Sequence, residues 1–166
     1  MLENICEIVQ NSNNLPLKRE GPMFEKILYP TDFSNVAKNA LDFIKTLENA
    51  DKKEVIVLHV IDANMMEFSS RYAPELFVTI EEKIKENITK DLNRIEMSLV
   101  ERGFTVRIRF ERGIPFREIL RVEQEEDVSV IVIGSHGVSN VKEMLLGSVS
   151  EKVIRKATKP VLVIKR

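Results

Sequence analysis

Residues 128–150, VSVIVIGSHGVSNVKEMLLGSVS, constrain the fold more than any other stretch of the chain. They open on a nearly unbroken apolar run: Val128, Val130, Ile131, Val132 and Ile133. A strand wet on one face would alternate polar and apolar residues, whereas such a run suits a strand buried on both faces of a parallel sheet. The run stops at Gly134, and Gly137 and Gly147 follow. Beyond Gly147 the period changes, with Val149, Val153, Ile154 and Ala157 at helical steps. Glycines past a strand's carboxyl end let the backbone turn sharply and let a ligand approach without meeting a Cβ. A Gly-Ser-Val-Ser helix start offers free N–H groups, two hydroxyls and the positive end of the helix dipole, a combination suited to phosphate. The stretch therefore reads as a phosphate-binding loop. GxxxxGK[ST] occurs nowhere in the chain, so no P-loop lysine is available, and GxGxxG is absent as well.

Elsewhere strands and helices alternate. Lys26 to Pro30 reads as a strand, Thr31-Asp32-Phe33-Ser34 as its exit, and Ser34 as the N-cap of a helix burying Val36, Ala37, Ala40, Leu41, Ile44 and Leu47. Val55 to Ile61 is a second buried strand, followed by an irregular segment with Met65, Met66, Phe68 and Tyr72. A long helix then carries Phe77, Ile80, Ile84, Ile88, Leu92, Ile95 and Leu99 on one face and ends at Gly103. Thr105 to Glu111 alternates apolar and charged residues, as a strand near a sheet edge does. Gly113 and Pro115 introduce a short helix with Phe116, Ile119 and Leu120, and Pro160 to Ile164 is the last strand. Five strands alternating with four helices predict an α/β domain with a parallel sheet and right-handed crossovers. The domain is expected over 24–166. Residues 1–23 form an N-terminal extension in which Leu2, Ile5, Cys6, Ile8 and Val9 suit a short amphipathic helix, unless the extension lacks fixed structure.

The glycines and the serine after them are spaced Gly134-x2-Gly137-x9-Gly147-Ser148. With the strand Ile27-Leu28-Tyr29-Pro30-Thr31-Asp32, the strand end Leu58-His59-Val60-Ile61-Asp62 and the closing Lys159-Pro160-Val161-Leu162-Val163-Ile164, the chain resembles the ATP-binding branch of the universal stress protein (UspA-like) family. That branch carries the motif G-x2-G-x9-G-[ST], and the resemblance covers nearly everything from Lys26 to Arg166. It implies a five-stranded parallel sheet in the order 3-2-1-4-5, with helices on both faces, in a Rossmann-like adenine nucleotide α-hydrolase-like fold. The winding reverses between the first and fourth strands, which is where such sheets bind ligands. Those strands end in Pro30-Thr31-Asp32 and in Gly134.

The resemblance implies that Pro30, Thr31 and Asp32 line the adenine and ribose side of a nucleotide pocket, largely through main chain. Val60 supplies apolar contact to the base, Ile133 presses on the base or fills core, and Gly134, Gly137, Gly147, Ser148, Val149 and Ser150 meet ribose and phosphate. Asp32 suits an ordinary turn equally, Val60 the core, and Ser148 and Ser150 ordinary helix caps. His136 is placed to reach a phosphate or to remain an exposed loop histidine, and Lys142 to approach the terminal phosphates or merely solvate the loop. His59, in a buried strand, reads as a core histidine. The two histidines have no cysteine or acidic cluster at ligand spacing, so no zinc site is expected. ATP is the expected ligand, with Mg²⁺ or Mn²⁺ carried by its phosphates and Asp32 the nearest carboxylate.

Charged residues make up 31% of the chain yet the net charge is −1, which argues against nonspecific binding to nucleic acid or an acidic membrane. The single cysteine, Cys6, excludes an intrachain disulfide and fits a reducing compartment. No apolar run reaches membrane-spanning length, and Glu3 and Glu7 do not suit a signal peptide, so a cytoplasmic protein is expected. Val161 to Ile164 is short, apolar and terminal, an edge that invites association. Two copies pairing through it about a twofold axis would resolve this, as the family commonly does; the extension covering it would do so too. The expected function is a nucleotide-dependent switch or sensor in stress response, acting on an unknown protein partner, in which ATP orders the segment between Gly137 and Gly147. Hydrolysis is expected to be slow or absent, for want of a Walker lysine, paired carboxylates or an arginine finger. The alternatives are an adenylyl-transferring or ATP-hydrolysing enzyme of the wider group, whose usual His-x-Gly-His and SGGxDS motifs are missing, and a nucleotide-free interaction module.

Overall fold

The computed structural model describes residues 7–9, 24–47, 49–63, 74–137 and 146–165. In chain order its elements are β1 (Glu7–Val9), β2 (Lys26–Pro30), α1 (Asn35–Lys45), β3 (Glu54–Asp62), α2 (Pro74–Val100), β4 (Thr105–Gly113), α3 (Pro115–Glu125), β5 (Val130–Gly134), α4 (Ser148–Lys156) and β6 (Val161–Ile164). The sheet runs β1-β6-β5-β2-β3-β4. Counted along the parallel strands β2 to β6, this is the expected 3-2-1-4-5, with Ile27 opposite Val130 and Val55 where the winding reverses.

The apolar runs are explained by burial on both sides. Ile27 and Tyr29 of β2 point to one face, with Val55, Val57, Val130 and Val132, and pack under α1 and α2. Leu28 points to the other, with Ile56, Leu58, Ile131 and Ile133, under α3 and α4. Ser34 caps α1 as expected, its Oγ accepting the Ala37 N–H at 3.2 Å, a bond type worth about 1 kcal/mol. Tyr29 supports the same turn from beneath. Its hydroxyl donates to the Ala37 carbonyl at 2.7 Å, and burial pushes its pKa up to about 12.

At its carboxyl end α2 buries Leu92, Ile95 and Leu99 and leads to Gly103, whose φ of 94° is the left-handed conformation that favours glycine. Ile84, expected on the same apolar face, is 40% exposed, so among the described side chains of α2 the packing on the core runs from Ile88 onward. The side chains of Phe77 and Ile80, and the segment with Met65, Met66, Phe68 and Tyr72, lie outside the described residues.

The extension departs from expectation. Where a helix or an unfixed segment is expected, Glu7–Val9 is a strand pairing antiparallel with β6, Glu7 opposite Val163, Ile8 opposite Leu162 and Val9 opposite Val161. The physical reason lies in β6: its outer row of N–H and C=O groups rewards an extended partner, and the Ile8-Val9 pair is β-branched and suits a strand. Within one chain, therefore, β6 is not an edge. The rest of the expected helix, Leu2 to Cys6, lies outside the described residues.

Candidate functional site

Two strand ends meet where the winding reverses, and each is tightly bonded. At the end of β2, after Pro30, the Thr31 N–H donates to the Leu58 carbonyl at 2.9 Å and the Thr31 Oγ1 accepts the Phe33 N–H at 3.1 Å. The Asp32 Oδ1 accepts the Ser34 N–H at 3.0 Å, so its turn-forming role is real. Its side chain still reaches across the crevice: a Cβ placed on Gly137 would lie 2.4 Å from Asp32 Oδ2.

His59 does more than fill core. Its Nδ1 lies 2.8 Å from the Thr31 carbonyl, which can only accept, so Nδ1 carries the proton. The ring is stacked between Phe33, at 4.7 Å, and Phe110, at 5.9 Å, and Phe33 itself has a φ of 62°. Burial holds the His59 pKa below its ordinary value despite the bond to Thr31 and the charge of Asp32. A neutral imidazole thus fixes the exit of β2. The sequence placed His59 in the right strand but gave no sign of the contact, because the ring reaches the neighbouring strand's end.

At the end of β5 the chain passes Ser135, which is buried and absent from the expected site. Its carbonyl accepts the Gly147 N–H at 2.7 Å and the Ser150 hydroxyl at 2.6 Å, and its N–H donates to Ile164 at 2.8 Å. Ser135 is the clasp that seats α4 on β5. Ser150 faces inward as its partner rather than capping the helix. Ser148 does not cap it either: the N-cap is Gly147, which offers no side chain to the first N–H groups of α4. Ser148 is exposed, Val149 half-buried, and His136 half-buried with Nδ1 2.9 Å from Ser135 Oγ.

The motif glycines are required for space, not for backbone freedom, since none of the three has a positive φ. A Cβ on Gly147 would lie 3.1 Å from the His136 Cα. A Cβ on Gly134 would lie 3.1 Å from the backbone of Val36 and Ala37, so the space beside Gly134 is filled by the start of α1. Ile133 is buried in the core under α3 and α4, and Val60 is half-buried against the same cluster. The structure therefore brings Asp32 to Gly137 and His136 to Gly147 at the crevice, with Thr31 and the exposed Ser148 next to them in the chain, while Val149 packs against the core that holds Ile133. It assigns Ile133, Gly134 and Ser150 to packing. Lys142 lies outside the described residues.

A model of the universal stress protein family matches residues 23–165. The chain belongs to the universal stress protein family. The universal stress protein MJ0577 of Methanocaldococcus jannaschii is 40% identical to it, over 87% of this chain and 96% of its own length. A solved structure of MJ0577 superposes with a TM-score of 0.78, covering 87% of this chain and 98% of that one. The universal stress protein YxiE of Bacillus subtilis is 36% identical, over 86% of this chain and all of its own. An Arabidopsis thaliana family protein solved with AMP bound shares the fold at 20% identity, with a TM-score of 0.63 over 85% of this chain and 91% of its own. In this universal stress protein no described helix is long and apolar enough to cross a membrane. Among its described residues no group of three histidine, cysteine or acidic side chains could hold a metal ion.

Proposed function

We propose that this universal stress protein binds ATP across the β2–β5 crevice and acts as a nucleotide-dependent switch or sensor in the cytoplasm. The observation that carries the reading is the start of α4. A nine-residue helix opens on Gly147, which supplies no side-chain cap, and its start is bonded to Ser135 at the end of β5, where the winding reverses. Such a terminus stabilises phosphate by hydrogen bonding and by its dipole together. Ser148 adds an exposed hydroxyl, and Asp32, across from Gly137, suits a ribose hydroxyl. Thr31, held by His59, and Val60 would present main chain and apolar surface to the base. AMP bound to a relative of the same fold is consistent with this ligand class.

A divalent cation would come on the phosphates, keeping most of its waters, because the described residues supply no cluster of their own. The chain has no Walker lysine to hold the β and γ phosphates, so turnover is expected to be slow or absent. A second copy of the chain, joined through Val161–Ile164 when β1 does not occupy that edge, is the proposed assembly.

The test is titration calorimetry with ATP and Mg²⁺ on wild type and Gly147→Val, after mass spectrometry of any nucleotide released on denaturation. A branched side chain at Gly147 intrudes on both the phosphate position and the His136 backbone. We expect the affinity to fall at least tenfold, about 1.4 kcal/mol or more, in a variant whose melting transition remains cooperative. No binding of ATP by wild type under any ion condition would overturn the reading, and pyrophosphate release would replace it with adenylyl transfer.

A further inference from the structure

We propose that Glu7–Val9 is a built-in cap that competes with a second copy of the chain for the outer edge of β6. The proposal rests on the assembly suggested above and adds to it a control on when that assembly forms. All four residues of β6 are buried, so none has a side chain free to guard the edge in water. The edge is instead closed by β1, antiparallel, in the register Glu7–Val163, Ile8–Leu162, Val9–Val161. An edge strand has one free row of N–H and C=O groups and so accepts one neighbour. A twofold-related β6 would also arrive antiparallel, on the same row, so cap and second copy exclude each other.

The cap is matched to this contest. It is three residues long, against nine for the β3–β4 ladder, and therefore displaceable. It belongs to the same chain, however, and a segment joined covalently over a short stretch meets its edge at an effective concentration on the order of millimolar. A free second copy at micromolar concentration is outcompeted unless something holds residues 1–23 away. The chain therefore stays monomeric with the cap seated, and pairs through β6 when the extension is withdrawn.

The test is sedimentation of the full chain under reducing conditions at micromolar concentration, as wild type, Ile8→Pro and Val9→Pro. Successive N–H groups of a strand point to opposite sides, so one of these two prolines must remove a ladder N–H facing β6. Wild type is expected at monomer mass and at least one proline variant at twice that mass. A synthetic peptide of residues 1–14, in excess, should return that variant to monomer by refilling the edge. Far-UV circular dichroism establishes that each variant is folded, and hydrogen exchange should show those amides of residues 7–9 that face β6 protected in wild type and unprotected in the dimer. A wild type already dimeric with unprotected residues 7–9 would overturn the proposal. So would proline variants that both remain monomeric, or a variant dimer indifferent to the peptide. Each of these results leaves the ATP reading standing.

Discussion

At one end of the parallel sheet β4 meets water over nine residues, each exposed or half-covered and none buried. At the other, β6 offers four residues, all buried. The long edge is guarded by its own side chains. Arg107 pairs with Glu54 and Glu126, and Arg109 with Glu111, Glu125 and Glu126 at 2.6 to 3.1 Å. Arg121 of α3 pairs with Glu111, Glu118 and Glu125. Another strand would have to displace this network to pair there, the charge-based protection common at natural sheet edges. A four-residue strand packed on both faces has no outward side chain to charge, so it needs a body laid against it. One edge is protected by local chemistry, the other by a distant segment.

The largest test of that contrast is Glu123, which is wholly buried and anchors the turn into β6. Its Oε1 accepts the Thr158 N–H at 2.7 Å, the Thr158 hydroxyl at 3.0 Å and the Lys159 N–H at 2.6 Å. Glu123→Ala removes the acceptor and leaves two backbone donors covered, so urea unfolding should show a loss of about 3 kcal/mol. Glu123→Gln should recover at least half of it, because an amide oxygen can take the place of Oε1 while Oε2 has no hydrogen-bond partner among the described residues. Equal losses for both variants would mean that charge, not the acceptor, holds the turn.

The same contrast separates what was legible in the sequence from what was not. The β4 edge could be read from alternation in Thr105 to Glu111, and the buried strands from their unbroken runs, because period and burial are local properties. The cap on β6 was legible only as an alternative to a second copy, and its form as a strand was not, since Leu2 to Val9 fits a helix face as well as a strand and only the β6 ladder decides between them. At the candidate site the glycine spacing located the crevice but not the division of labour. Gly134 yields its space to α1, and Ser150 bonds to Ser135, contacts between positions that nothing in the order of residues connects. Ser135 and His59 were missed as positioning groups for a related reason: they act through a carbonyl and a ring edge, and one-dimensional patterns carry neither.

A smaller effect probes the charged edge through pH. Burial alone would raise the Glu126 carboxyl, but hydrogen bonds from Arg107, Arg109 and Lys26 outweigh it and hold the group below its ordinary value. A depressed folded-state pKa contributes stability that is present above the unfolded pKa and lost as pH falls through the folded one. Glu126→Ala should therefore cost about 1 kcal/mol at neutral pH. Its deficit relative to wild type should shrink below about pH 4, as the wild-type carboxyl takes up a proton. Urea titrations at neutral and acid pH give the comparison, and a deficit unchanged at acid pH would assign Glu126 a packing role instead.

The smallest expected effect sharpens the comparison most. Arg121 makes as many carboxylate contacts as Arg109, yet its side chain is 41% exposed against 27% for Arg109. Water screens it more, and two of its three partners, Glu111 and Glu125, are also held by Arg109. Arg121→Ala should therefore cost only about 0.5 kcal/mol, and added salt should erase even that. If the edge is guarded by independent pairs, Arg109→Ala and Arg121→Ala will add in the double variant. If the shared glutamates make it one network, losing both arginines will cost more than the sum, because Glu111 and Glu125 then face each other without a cation. A double-mutant cycle by urea unfolding separates the two cases. Superadditivity would show that β4 is guarded as a unit, much as β6 is covered by a strand rather than by single contacts.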